Sequence, residues 1–165
     1  MTRTDTSVSA EGSSAADGAT NGSVSGSRWT LRSALLGLML LGMTGTAAEL
    51  IFLEHYEEFW QWVPIALLGA GLIAGMVAAV RPRWWVLRAL QVLGALFVAA
   101  GVLGVVLHYT GNVEFELEMA PAMRGRTLVW ESLRGATPAL APAALAWLGL
   151  LGIACTWGHP GLRRH

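Results

Sequence analysis

After a polar start, the chain alternates between long apolar stretches and short polar breaks. The first apolar stretch runs from about Leu31 to Leu53, interrupted near its far end by Glu49. The second runs from Pro64 to Val80, the third from about Val86 to Tyr109, and the fourth from about Ala139 to Trp157. A bilayer core of about 30 Å needs roughly 20 helical residues, with about 17 as the lower limit. Each stretch meets that limit, the second only just. Backbone groups in hydrocarbon must satisfy one another, so segments of this length are helices, whereas barrel strands would be shorter and alternating. The pattern therefore predicts an all-α, integral membrane four-helix bundle of up-down topology, occupying 28–165.

Residues at the ends of these stretches fit that reading. Trp29, Trp60, Trp62, Trp84, Trp85 and Trp157 fall where indole rings favour the headgroup layer. Pro64 suits a first helical position, and Pro138 or Pro142 the same position in the fourth helix, because the missing N–H costs nothing there. Gly111 is expected as a left-handed cap closing the third helix. Residues 1–27 hold only Val8 and Val24 among bulky aliphatics and no aromatic, too little apolar surface to offset ordering, which predicts a disordered tail.

Composition narrows the class. Of 165 residues 54% are hydrophobic and only 13% charged, about half the charged share of a soluble domain. The net charge is zero, which argues against a nucleic-acid binder with a basic face. Cys155 is the single cysteine, so neither a disulfide framework nor a multi-cysteine metal site is available. All basic residues are Arg, a compositional bias without structural meaning of its own.

Charge distribution then sets the orientation. Arg28, Arg32, Arg81, Arg83, Arg88, Arg163 and Arg164 lie on one side of the predicted membrane, and Arg124, Arg126 and Arg134 on the other. The positive-inside rule places both termini in the cytoplasm of a bacterial cell, with the protein in its cytoplasmic (inner) membrane. The outer side then holds the 54–62 turn and the long 110–137 loop. A competing reading takes Leu35 to Met43 as a signal-peptide core with cleavage among Gly45–Ala48. It would leave three helices, and the long n-region and the apolar run past Glu49 speak against it.

Membrane helices associate through small residues. Gly37, Gly42, Gly45 and Ala48 of the first span, Gly69, Gly71 and Gly75 of the second, Gly94, Gly101 and Gly104 of the third, and Gly149 and Gly152 of the fourth are the expected contacts. In the outer loop, Val113, Phe115, Leu117 and Met119 alternate with Glu114, Glu116 and Glu118, which predicts an extended, two-faced segment ended by Pro121. Thr127 is expected to cap a short helix over 128–134, with Leu128, Trp130 and Leu133 on the membrane surface or the bundle top. The loop thus reads as an ordered lid.

Candidate chemistry is sparse. Glu49 and Gln91 are the intramembrane polar residues: Glu49 as an ion-pathway group or a partner of Arg124 or Arg126, Gln91 as an interhelical hydrogen bond. His55 and His108 come to one membrane face in an up-down bundle. With Glu54 and Glu58 they form a candidate transition-metal or haem site, weighed against an ordinary solvated cap. Glu114, Glu116 and Glu118 are candidates for docking a partner, with a hard cation as the lesser alternative. No phosphate loop, nucleophile elbow or zinc-protease motif appears. The sequence therefore reads as a non-enzymatic accessory or scaffolding subunit, docking a membrane-protein partner, another copy or lipid headgroups through an acidic outer face. The alternatives are a metal- or haem-binding protein and an oligomeric ion or small-molecule permease around Glu49.

Overall fold

The computed structural model describes residues 19–57, 59–135 and 137–163, with side chains from residue 31 onward. Among these the chain is all-α. Helix α1 spans Ala19–Phe52, α2 Trp62–Val80, α3 Trp84–Met119, α4 Gly125–Arg134 and α5 Ala143–Thr156. Single 3-10 turns at Phe59–Gln61 and Pro160–Leu162 complete it. The part of the expected tail before residue 19 lies outside the described residues; from Ala19 the backbone is helical.

Three helices are long and apolar enough to cross a membrane, at Leu31–Phe52, Phe59–Val80 and Trp84–Met119. The chain is a multi-pass membrane protein, and large apolar side chains such as Leu41, Ile73 and Val102 are exposed where lipid would cover them. The fourth predicted span is corrected. Only the 14 residues of α5 are α-helical, and Pro142 stands at the N-cap, not at the first helical position. Pro138 and Pro142 supply no N–H, so the approach from 138 to 145 closes tight turns instead, Ala141 N–H to Pro138 O and Ala143 N–H to Leu140 O. Pro64 likewise falls third in α2, after Trp62 and Val63.

Each helix runs antiparallel to its neighbours, in the order α1, α2, α3, α5 around the bundle, so α1 and α3 share a diagonal. Glycines make this packing. Added Cβ atoms at Gly71 and Gly75 would strike Met43 and Met39 of α1, and one at Gly42 would strike Leu148 of α5. The closest seam is α3 on α5. A Cβ at Gly94 would lie 2.8 Å from Gly149 O, and one at Gly101 would lie 2.6 Å from Ala146 N. Phe97 sits fully buried at the centre with Met39, Met43, Leu68 and Leu90. Gly37, Gly45 and Gly69, expected among the contacts, face open space instead. At one end Arg32 donates to Trp157 O at 3.1 Å and Gly158 O at 3.0 Å, joining α1 to the carbonyls just past the end of α5. A cation there also complements the helix dipole. Beside it, burial and the Arg32 charge push the His159 imidazole below its ordinary value. Its Nδ1 accepts from Gly161 N–H at 3.0 Å, a bond that the neutral ring makes.

Gly71 meets both Met43 and Phe97, which fixes a common level for α1, α2 and α3. From that level, at 1.5 Å per residue, Trp84 lies about 20 Å toward one end and Trp62 about 14 Å toward the other. The two tryptophan levels are thus about 33 Å apart, matching a hydrocarbon core of about 30 Å. Helix α3 has 36 residues, about 54 Å of helix. Its last turns therefore stand beyond the tryptophan level near Val106, and α4 packs on them. The expected end of this helix at Gly111 is corrected: Gly111 lies inside α3, and the positive-φ glycines among the described residues are Gly125 and Gly158.

Candidate functional site

The region beyond that tryptophan level is a helical hairpin, made by the end of α3 and by α4. The extended segment expected over 113–119 is helical throughout. Alternation of Glu114, Glu116 and Glu118 hides a second pattern, Tyr109, Asn112, Val113, Glu116, Leu117 and Ala120, spaced as one helix face. Those residues are buried or half-buried, and the face receives α4. From α4 the inward residues are Leu128, Glu131, Ser132 and Gly135, again at helical spacing. Helical pairing wins because it buries these apolar side chains and satisfies the backbone within each helix. Thr127 does not cap α4; the N-cap is Arg124, in extended conformation with no side-chain cap bond, and the helix begins at Gly125.

Asn112 locks the hairpin. It is buried at 3% exposure. Its Nδ2 donates to Ser132 O at 2.9 Å and to Thr137 O at 2.6 Å, while Oδ1 accepts from Thr137 Oγ1 at 2.8 Å. Gly135 is held so close that an added Cβ would lie 2.6 Å from Asn112 Cγ. One amide thus ties α3 to the end of α4 and to the strand of chain entering α5. Sequence reading passed over Asn112 because an isolated Asn in a loop signals nothing; as the polar member of a helical apolar stripe it would have stood out. Arg124 donates to Pro121 O at 2.8 Å and Met123 O at 2.7 Å, closing the turn between the two helices.

The helical register splits the acidic ladder. Glu114 and Glu118 share an exposed face, one turn apart, with Phe115 and Met119 beside them. Glu116 turns toward α4 and is half-buried. On α4, Arg126, Val129, Trp130, Leu133 and Arg134 are exposed, and the Arg134 guanidinium lies 5.8 Å from the Trp130 ring centroid, within cation–π reach. A shallow cleft of about 790 Å³ is lined by Gly125, Arg126, Thr127, Val129 and Trp130.

The other candidates fall elsewhere. Glu54 and His55 terminate α1: Glu54 N–H bonds to Ile51 O and His55 N–H to Leu50 O, with Glu54 at φ 52°. That is a Schellman ending with Glu where glycine is favoured, at a cost of about 1–2 kcal/mol. Glu58 lies outside the described residues. His108 is half-buried on α3, its Nδ1 3.4 Å from Pro138 O. His55 follows the end of α1 and His108 lies in α3, helices on the bundle diagonal, and among the described residues no three His, Cys, Asp or Glu side chains gather as a metal-holding group.

Glu49 is exposed on the outer surface of α1, less than one turn from the helix end. It sits about 5 Å below the level of Val106, within reach of the headgroups. Among the described residues it pairs with neither Arg124 nor Arg126. Gln91 accepts from Arg88 Nη1 at 3.1 Å within α3, so the expected interhelical bond is corrected to an intrahelical one. Cys155 is buried, its Sγ 3.2 Å from Gly152 O, in the packing role expected of a small residue. No family model, curated protein or solved structure matches this chain.

Proposed function

We propose that this is a non-enzymatic accessory or scaffolding subunit that docks a protein through its extramembrane hairpin. One observation carries the reading. Beyond the tryptophan level, where lipid no longer covers it, the hairpin exposes Phe115, Met119, Val129 and Trp130, at 47–72% exposure, alongside Glu114 and Glu118. Exposed apolar side chains rimmed by charge mark interaction surfaces. The hairpin is also held by a buried hydrogen-bond cluster at Asn112, so the surface is presented rigidly. Arg32, Arg81, Arg83, Arg88 and Arg163 sit at the opposite end, and the positive-inside rule then supports a hairpin on the outer face of a bacterial cytoplasmic membrane.

A photo-reactive amino acid placed at Phe115 or Trp130 tests this in native membranes. The expected result is a cross-linked adduct with a second polypeptide, lost when the label is moved to Gly37, on the lipid-facing surface. Adducts with lipid alone, from both hairpin positions, would contradict the proposal.

A further inference from the structure

The end of the bundle opposite the hairpin is rich in arginine and poor in acid. Arg32, Arg81, Arg83, Arg88 and Arg163 lie there, while every glutamate of the described residues lies at the hairpin end. Arg88 is bonded to Gln91, and Arg32 spends its Nη2 on the carbonyls of Trp157 and Gly158. A guanidinium carries five donors. Among the described residues the Nε and Nη1 donors of Arg32 and all those of Arg163 are left without a partner, and neither cation meets a carboxylate.

These two guanidiniums converge on one open point. Gly158, at φ 59°, leaves empty the position where a Cβ would stand. Arg32 Nη2 lies 3.8 Å from that position and Arg163 Nη2 4.0 Å, and apart from the adjoining residues no other described atom is within 4 Å. The two nitrogens are thus within about 8 Å of each other, a gap that one phosphate bridges with charge-assisted bonds of about 2.8 Å. Arg163 closes the 3-10 turn Pro160–Leu162, and Gly161 of that turn packs against Pro82 and Leu87. The second arm of the notch is therefore carried by a turn seated on the bundle.

The notch also lies at the depth of a lipid phosphate. Arg32 precedes Met43 by eleven residues of α1, which places it about 16 Å from the common level of Met43, Gly71 and Phe97, just short of Trp84 at about 20 Å. That is the edge of a hydrocarbon core about 30 Å thick, where the headgroups begin. Leu150, Ala154 and Trp157 are exposed along α5 at helical spacing and continue from the notch into the apolar layer.

We propose that this notch binds the headgroup phosphate of an acidic lipid in the adjoining leaflet, held between Arg32 and Arg163 with the acyl chains along α5. Free phosphate shares that chemistry; the depth of the notch and the exposed apolar stripe beside it favour the lipid. A net negative headgroup is preferred because the surrounding arginines attract it and no described acid at this end repels it. The site is separate from the hairpin and does not depend on what the hairpin docks.

Native mass spectrometry of the full chain in mild detergent tests this, with phosphatidylglycerol, phosphatidylcholine or inorganic phosphate added. One phosphatidylglycerol is expected to stay bound per chain, with phosphatidylcholine held less well and inorganic phosphate unable to displace it. Arg163→Gln should weaken retention about tenfold or more, as the loss of a hydrogen bond between charged groups implies. Arg81→Gln removes the same charge from the end of α2, on the diagonal from α5, and should leave retention unchanged. Both side chains are exposed, and circular dichroism melting checks that both variants fold as wild type does. Equal retention of the two lipids, equal losses in the two variants, or full retention in Arg163→Gln would overturn the proposal. Displacement by inorganic phosphate would overturn the lipid assignment and make the notch a site for a soluble anion.

Discussion

Asn112→Leu is expected to release the hairpin from the bundle while leaving the membrane helices assembled. The substitution removes the amide that joins Ser132 O, Thr137 O and Thr137 Oγ1. Each such bond contributes about 1 kcal/mol net, and a buried carbonyl left unpaired costs about 1–3 kcal/mol more. Three bonds and one unpaired carbonyl sum to about 4–6 kcal/mol, enough to make the docked hairpin a minority state. Hydrogen exchange should rise across 125–140 and stay unchanged in α2, and protease should cut in the turn after Met119. Ser132→Ala is the matched control. Ser132 is fully buried but its Oγ has no hydrogen-bond partner among the described residues, so removing it should be neutral or slightly stabilising.

Gly101→Ala should have a comparable effect on the bundle itself. The added Cβ would sit 2.6 Å from Ala146 N and 3.0 Å from Pro142 O, both backbone atoms that cannot rotate away. Relief requires α5 to move off α3 along the closest seam in the molecule, and overpacking of that kind costs about 1–3 kcal/mol or more. Gly45→Ala is the opposite case. Nothing lies within 4 Å of its added Cβ, and replacing a mid-helix glycine gains up to about 1 kcal/mol of helix propensity. Thermal denaturation in mild detergent, followed by circular dichroism, should fall for Gly101→Ala and hold or rise for Gly45→Ala. Equal losses at both positions would mean that the α3–α5 contact is not the one described.

Much of the architecture was legible in the residues. The apolar stretches located α1, α2 and the membrane-embedded part of α3, and the tryptophans marked their ends, because bilayer thickness translates directly into residue counts. Two failures share one physical origin. Gly111 and the alternation over 113–119 were read by local rules, a glycine cap and a period of two, whereas α3 continues because α4 covers its inner face. That contact is tertiary and leaves only a weak trace in sequence, the spacing of Asn112, Val113, Glu116 and Leu117. The fourth span was placed in the right region but its helix begins only at Ala143, since two prolines upstream withhold N–H groups. Glycine composition announced close packing, yet could not tell Gly101, against the Ala146 backbone, from Gly45, against nothing. Of the polar candidates, Glu54 and His55 proved to shape the end of α1, a role set by backbone conformation that residue type does not reveal.

The level of the bilayer along α3 can be measured directly. Single cysteines at Arg83 and at Glu118, each in a Cys155→Ser background, can be probed in sealed, uniformly oriented vesicles with a membrane-impermeant maleimide. The predicted result is that one position reacts from outside and the other only after the vesicles are opened. Reaction of both positions from the same side would contradict a membrane lying between the two ends of α3.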